Sequence, residues 1–183
     1  MLPTKMAIQK IIVEHTIEAQ TPSKKITLIH PPQVFSQYQI ATGITPPLGI
    51  AYLASFCRKH GYEVQVIDAV GEEPGTVSPF RPKIFLRGKT IADIVDEIDA
   101  DTDLIGISNL FSFGYPAVRE LSDAIRKKHP QAPIVLGGAH PTHMYQEVLD
   151  DHAGDYVIRS EGEIPLIDLC RHLAGEIPIE EVP

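Results

Sequence analysis

The sequence predicts a doubly wound α/β domain in which a five-stranded parallel sheet carries helices on both faces. Short apolar runs alternate with helical segments along the chain, and parallel strands need such helical crossovers. The run Ile134 to Leu136 stops at two adjacent glycines, which is typical of a buried parallel strand whose carboxyl end opens into a loop. The 183 residues give room for one domain with a sizeable core.

The elements follow from apolar periodicity and from turn residues. Strands are predicted at residues 25–29, 63–68, 104–107, 133–136 and 156–159, and helices at residues 48–60, 90–98, 115–128, 144–150 and 163–174. Thr45 is expected to cap the first helix at its N-terminus, and Gly61 to end it. Residues 30–45 and 69–89, which contain several prolines, are predicted to be a long loop and an irregular excursion.

Three regions of the chain are expected. Residues 1–24 read as a leader that adds a helix or an edge strand, residues 25–175 as the ligand-binding domain, and residues 176–183 as the start of a linker, because Pro178 and Pro183 occur there.

Composition excludes several classes of partner. The net charge is −8 without a long run of Lys or Arg, which argues against nucleic acid or an anionic membrane. No segment has the length of a membrane span or the pattern of a signal peptide. Cys57 and Cys170 lie in helical apolar patterns and read as core residues, so the expected location is the reducing cytoplasm.

Candidate ligand-binding residues follow the predicted strands. In an open α/β sheet the ligand binds outside the carboxyl ends of the strands. The residues placed at that edge are His30, Pro31, Pro32, Ser108, Asn109, Leu110, Phe111, Gly137, Gly138, His140, Thr142, Glu161 and Gly162. The histidines have no metal-ligand spacing, and no catalytic residue or metal ligand is predicted.

These residues carry a resemblance. Residues 108–110 (SNL) and 137–138 (GG) match the Ser-x-Leu and Gly-Gly elements of cobalamin (vitamin B12) binding domains. Together with residues 30–32 (HPP), 46–49 (PPLG), 137–142 (GGAHPT) and 160–163 (SEGE), the chain from residue 25 onward resembles the N-terminal domain of cobalamin-dependent radical SAM proteins.

The resemblance implies a flavodoxin-like (Rossmann-like) sheet of strand order 2-1-3-4-5. It also implies cobalamin with its corrin over the strand ends and its nucleotide tail at the sheet edge, displaced from cobalt. In that arrangement Gly137 and Gly138 would let the tail pass close to the backbone. The Ser108 hydroxyl would hydrogen-bond the tail, and Leu110 and Phe111 would contact the edge of the macrocycle.

The sequence departs from the family pattern in three places. The Asp-x-His-x-x-Gly element that supplies an axial histidine in some B12 domains is absent, so we expect no histidine on cobalt. The turns usually written Asn-Pro-Pro and Gly-Glu-Gly-Glu begin here with His30 and Ser160. The three-cysteine loop that holds the radical SAM cluster does not occur.

We therefore expect a cofactor module without a complete active site of its own. In the parent, a methyltransferase-like enzyme, a radical SAM domain in the same chain would hold the iron-sulfur cluster and S-adenosylmethionine. The alternative is a free-standing carrier of a nucleotide, flavin or B12, although the sequence has neither a G-x-G-x-x-G turn nor a P-loop.

Overall fold

The computed structural model describes residues 8–10, 25–39 and 43–183. The elements in chain order are β1 (Ile8–Lys10), β2 (Lys25–His30), β3 (Gln33–Ser36), α1 (Leu48–Lys59), β4 (Glu63–Asp68), α2 (Ala69–Glu72), β5 (Val77–Arg81), β6 (Ile84–Arg87), α3 (Ile91–Glu97), β7 (Leu104–Ser108), α4 (Tyr115–Lys128), β8 (Ile134–Gly137), α5 (Ala139–His143), α6 (Tyr145–Asp150), β9 (Tyr156–Ile158) and α7 (Glu163–Leu173).

The main sheet has the strand order β1-β9-β8-β7-β2-β4. The five strands from β9 to β4 are parallel to one another. Counted along the chain they have the order 2-1-3-4-5, so the predicted flavodoxin-like sheet is confirmed. β1 pairs antiparallel with β9, Ile8 lying opposite Ile158. The rest of the leader, residues 1–7 and 11–24, lies outside the described residues.

Apolar side chains of the strands alternate between two cores. Ile29 and Leu136 belong to the core that packs against α3, α4 and α6. Leu28 and Val135, their neighbours in sequence, belong to the core under α1 and α7. Both faces of a sheet must be buried for such near-continuous apolar strands to be stable, and the prediction of helices on both faces is confirmed.

A second, three-stranded antiparallel sheet has the order β3-β6-β5. The expectation that residues 30–45 and 69–89 lack regular structure is therefore wrong. Pro79 lies in β5, an edge strand whose register shifts between Pro79 and Arg81, and an edge strand tolerates proline because its missing N–H leaves no ladder bond open. Val34 and Leu86 of this small sheet pack against Ala117 of α4.

Two helix ends test the capping predictions. α1 begins after Pro47 without a side-chain cap, so the assignment of Thr45 as N-cap is wrong. Gly61 has φ +88° and its N–H donates to the carbonyl of Arg58 at 3.1 Å. Because this left-handed conformation suits glycine, Gly61 ends the helix as predicted.

In the described part of the chain, none of the helices is long and apolar enough to cross a membrane. The histidine, cysteine, aspartate and glutamate side chains of these residues form no group of three or more that could hold a metal ion.

Candidate functional site

Two neighbouring cavities open at the carboxyl edge of the main sheet. The larger, here called the sheet cavity, has a volume of about 270 Å³ and lies between the sheet and helices α1 and α7. Its lining is Leu28, Gly49, Ile50, Leu53, Gly106, Ile107, Ser108, Leu110, Val135, Gly137, Gly138, Ile158, Ser160, Glu161, Gly162, Glu163 and Leu166.

The smaller cavity, here called the loop cavity, has a volume of about 130 Å³. It lies between the small sheet, the end of β2 and the loop after β7. Its lining is His30, Pro31, Pro32, Gln33, Val34, Gly43, Ile44, Thr45, Val70, Ser108, Asn109, Leu110, Phe111, Phe113, Gly114 and Val118. Ser108 and Leu110 line both cavities, so this segment is their common wall.

The sheet cavity has an apolar interior and polar residues where the strands end. Leu28, Val135 and Ile158 come from the sheet face that also packs against α1 and α7. Ser108, which lines this cavity, is the last residue of β7. The arrangement suits a flat apolar group that carries a hydrogen-bonding atom.

Gly137 and Gly138 serve two different purposes. A Cβ built on Gly137 meets no atom within 4 Å, so this position faces open space in the sheet cavity. Gly138 has φ +114°, and a Cβ there would lie 2.6 Å from the carbonyl oxygen of Asn109. The fold itself therefore requires glycine at 138, because a side chain would be strained and would collide with backbone, whereas glycine at 137 leaves room for a ligand.

Polar atoms without partners line the loop cavity. Asn109 is 3 % exposed, and its Nδ2 has no hydrogen-bond partner among the described residues. The same holds for Oε1 of Gln33, whose Nε2 donates to the carbonyl of Gly43 at 3.2 Å. Buried polar atoms are nearly always hydrogen-bonded, so these two atoms mark a place where a ligand or water completes the structure.

His30 has a carboxylate beside its ring. Its Nδ1 lies 2.8 Å from Oδ1 of Asp68, and the same Asp68 oxygen accepts from the N–H of Gly71 at 3.0 Å. The two residues face each other across the ends of β2 and β4. An Asp-x-His spacing could not predict this pair, because the carboxylate comes from the neighbouring strand and not from the residues that precede His30.

His140 lines neither cavity. It lies in α5, where a loop was predicted, and it is 5 % exposed. Its Nδ1 lies 3.1 Å from Oγ of Ser112, and its ring centroid lies 4.4 Å from that of Tyr115. Burial lowers the pKa of His140, although the charge of Glu147 acts in the opposite direction. In the described part of the chain its Nε2 has no partner.

Thr142, also outside both cavities, joins the loops after β8 and β9. Its hydroxyl donates to the carbonyl of Gly138 at 2.8 Å and accepts from the N–H of Ser160 at 3.0 Å. Ser160 has φ +66°. The position where the family turn usually has glycine is thus left-handed in this chain, where serine occupies it.

Three apolar side chains stand exposed at the rim of the cavities. Leu110 is 54 % exposed, Phe111 61 % and Phe113 58 %, and the two phenylalanine rings stack at a centroid distance of 5.3 Å. Exposed apolar clusters of this kind mark surfaces that bind an apolar partner or ligand.

Eleven of the thirteen predicted site residues line one or both cavities, and His140 and Thr142 do not. The sequence reasoning missed the apolar wall of the sheet cavity, of which Leu28 and Val135 are examples, because these residues have the same pattern as ordinary core residues. It also missed Gln33, which lay in a stretch predicted to be a loop.

The B12 binding domain family matches residues 40–169, which is more than half of the chain. The chain belongs to this family. It is a B12-binding domain that resembles the cobalamin-binding part of cobalamin-dependent radical SAM methyltransferases.

Two relatives illustrate the similarity. Cytidylyl-2-hydroxyethylphosphonate methyltransferase of Streptomyces wedmorensis is 32 % identical over 162 residues, which cover 87 % of this chain and 30 % of that protein. Anaerobic magnesium-protoporphyrin IX monomethyl ester cyclase of Cereibacter sphaeroides is 28 % identical over 149 residues, covering 80 % of this chain and 22 % of that protein. The chain therefore spans less than a third of the length of either relative.

Solved structures share the fold. The cobalamin-dependent S-adenosylmethionine radical enzyme OxsB with aqua-cobalamin bound superposes with a TM-score of 0.62 at 20 % identity, covering 90 % of this chain and 20 % of that one. A cobalamin-binding protein from Desulfitobacterium hafniense gives a TM-score of 0.55 at 14 % identity, covering 83 % of this chain and 59 % of that one.

Proposed function

We propose that this domain holds cobalamin with the dimethylbenzimidazole tail in the sheet cavity and the corrin over the carboxyl ends of the strands. The observation that carries the proposal is the open space beside Gly137, at the mouth of an apolar cavity between the sheet and helices α1 and α7. Cobalamin bound with its tail displaced from cobalt would need room for the tail at this place.

The size and chemistry of the sheet cavity fit the tail. A cavity of about 150 Å³ holds a benzene molecule, and the sheet cavity, at about 270 Å³, is nearly twice as large, which suits the fused rings of a benzimidazole. Leu28 and Val135 would contact these rings. The hydroxyl of Ser108 would bond a ring nitrogen, and Leu110 and Phe111 would contact the edge of the corrin.

Bound cobalamin would supply methyl-transfer chemistry at its cobalt. The residues of this chain would bind and orient the cofactor and would keep water from its tail. They would not complete an active site, and the module would work as the N-terminal domain, residues 25–175, of a larger cobalamin-dependent radical SAM enzyme of the methyltransferase type.

The rest of that enzyme would hold the iron-sulfur cluster and S-adenosylmethionine. The small share of its relatives that this chain spans supports the proposal. So does the state of the two cysteines, Cys57 and Cys170, which are free and buried and therefore unsuited to hold a cluster. Free buried thiols also favour a reducing compartment, the cytoplasm.

Visible absorption spectroscopy tests the binding. Aqua-cobalamin is titrated into the purified chain, and we expect a saturable spectral change with one cofactor per chain. Absence of any change would contradict the proposal and favour the alternative of a flavin or nucleotide carrier, which the same titration with those ligands would detect.

Electron paramagnetic resonance of bound cob(II)alamin tests the position of the tail, because a nitrogen ligand splits each cobalt line into a triplet. We expect no triplets. Triplets that persist in both His30→Ala and His140→Ala would come from the tail and contradict its displacement. Triplets that disappear in His30→Ala or in His140→Ala would identify that histidine as the cobalt ligand and overturn the expectation that no histidine coordinates cobalt.

A further inference from the structure

The loop cavity has the features of a binding site in its own right. Two of the side chains in its wall, Asn109 and Gln33, carry buried polar atoms that have no partner among the described residues. Leaving a buried donor or acceptor unbonded is costly, and two such atoms in residues that line one cavity favour a polar ligand there.

The size of the cavity limits that group. At about 130 Å³ it is close to the engineered cavity of about 150 Å³ that holds benzene. A side arm of about four to six non-hydrogen atoms therefore fits, whereas a macrocycle or a nucleotide does not.

The chemistry of the two atoms limits it further. Nδ2 of Asn109 is a donor and Oε1 of Gln33 is an acceptor. The orientation of the Gln33 amide follows from its Nε2, which donates to Gly43. A carboxylate has acceptors alone, so it would bond Nδ2 of Asn109 but repel Oε1 of Gln33. An ammonium has donors alone, so it would bond Oε1 of Gln33 but not Nδ2 of Asn109.

A primary carboxamide has both functions, because its oxygen accepts and its nitrogen donates. We propose that the loop cavity is a carboxamide-binding subsite, in which the ligand oxygen accepts from Asn109 and the ligand nitrogen donates to Gln33. The apolar side chains of Val34 and Val118, which also line the cavity, would cover the methylene groups that carry the carboxamide.

The corrin is the source of the carboxamide, and this part of the inference rests on the proposed function. Ser108 and Leu110 separate the loop cavity from the sheet cavity, so a corrin whose tail fills the sheet cavity lies beside the loop cavity. The periphery of a corrin carries several primary carboxamides on short methylene arms. A separate molecule with a carboxamide is the other source of the same chemistry.

Corrin monocarboxylates provide the test. Partial acid hydrolysis of cobalamin converts single peripheral carboxamides into carboxylates, and each product is titrated into the intact chain beside cobalamin itself. We expect one monocarboxylate to bind about tenfold more weakly than cobalamin, because the carboxylate opposes the acceptor of Gln33. The other monocarboxylates should bind as cobalamin does.

Matched variants test whether Gln33 causes the weaker binding of that monocarboxylate. Gln33→Met keeps the length of the side chain but removes the acceptor, and we expect it to bind cobalamin and that monocarboxylate equally well. Gln37→Met, an exposed position at the end of the same small sheet, should keep the wild-type difference. Thermal unfolding of both variants confirms that the fold is intact, and a difference that survives in Gln33→Met would overturn the assignment.

Propionamide distinguishes the two sources. It is added to the cobalamin-loaded chain while the side-chain amide resonances of Asn109 and Gln33 are observed by NMR, and we expect no shift because the corrin arm fills the site. Shifts would assign the carboxamide to a separate molecule. Failure to bind cobalamin would contradict the proposed function, whereas cobalamin binding without discrimination and without a response to propionamide would overturn the subsite alone.

Discussion

Replacement of Gly137 by valine tests where the cofactor tail lies. A Cβ at this position meets no protein atom within 4 Å, and valine is favourable at the end of a strand. We therefore expect the free energy of unfolding to change by less than about 1 kcal/mol. The added side chain occupies space in the sheet cavity, so it should act on the ligand and not on the fold.

The expected loss of affinity follows from the cost of overfilling a packed site. Extra carbon atoms in a well-filled interior cost about 1–3 kcal/mol, which corresponds to a dissociation constant for aqua-cobalamin raised by about fivefold to 150-fold. Gly137→Ala adds a single carbon and should have a smaller effect. Both dissociation constants are measured by visible absorption titration, and the stability of each variant by denaturant unfolding.

Two controls separate tail exclusion from general damage. Gly75→Val introduces the same side chain in an exposed turn outside both cavities, again with no atom within 4 Å of the new Cβ, and should leave affinity unchanged. Cobinamide, a corrinoid without the nucleotide tail, should bind wild type and Gly137→Val equally.

Unchanged affinity of a stable Gly137→Val protein for aqua-cobalamin would refute the tail position. Gly138→Val is no substitute for this test, because its Cβ would lie 2.6 Å from a backbone oxygen at a φ of +114°. We expect that variant to lose stability for reasons unrelated to the ligand.

Three further outcomes are expected. Ser160→Gly should raise the free energy of unfolding by about 0.5–1 kcal/mol in urea denaturation, because serine at φ +66° is strained. The control Ser78→Gly in β5 should lower the free energy of unfolding. A lower free energy of unfolding in Ser160→Gly would contradict the strain at this position. Burial depresses the pKa of His140 below its ordinary 6.5, so as the pH falls this histidine is protonated in the unfolded chain before it is protonated in the folded one. The free energy of unfolding should therefore fall as pH drops from 7 toward 5, with a slope of at most about 1.4 kcal/mol per pH unit. His140→Phe should reduce that slope and the exposed His143→Gln should keep it; equal slopes in wild type and His140→Phe would refute the assignment. Reconstitution with iron and sulfide should give no reducible cluster, because burial raises the pKa of both thiols, that of Cys57 to about 11; a stoichiometric cluster on the isolated chain would overturn this.

The main sheet could be predicted from the sequence because each core strand is a separate apolar run, and such runs keep their pattern whatever surrounds them. The small sheet could not. Its strands carry Pro79 and charged residues such as Arg87, and they are stabilised by contacts with α4 that are distant in sequence. Local propensity therefore pointed to a loop where tertiary packing forms a sheet.

The part of the site that lies at the ends of strands could be predicted, because the ends of the strands could be predicted from the sequence. The last residues of β2, β7, β8 and β9 and those that follow them lie at one edge by topology, which is why Ser108 and Gly137 could be predicted. Pairings across strands were not predictable, and the contact between His30 and Asp68 is the clearest case, because 38 positions separate the two residues. The different roles of Gly137 and Gly138 could not be predicted either. They depend on how close the backbone of Asn109 lies to each glycine, and a local sequence pattern gives no such distance.

The antiparallel strand β1 has a consequence for how another domain could pair with the main sheet. It pairs with Tyr156, Val157 and Ile158, the whole length of β9. An uncovered strand is a template onto which another chain can add by backbone hydrogen bonding, and β1 already occupies that template. A strand of a neighbouring domain therefore cannot pair directly with β9 unless it first displaces β1, so any extension of the main sheet on this side begins at β1.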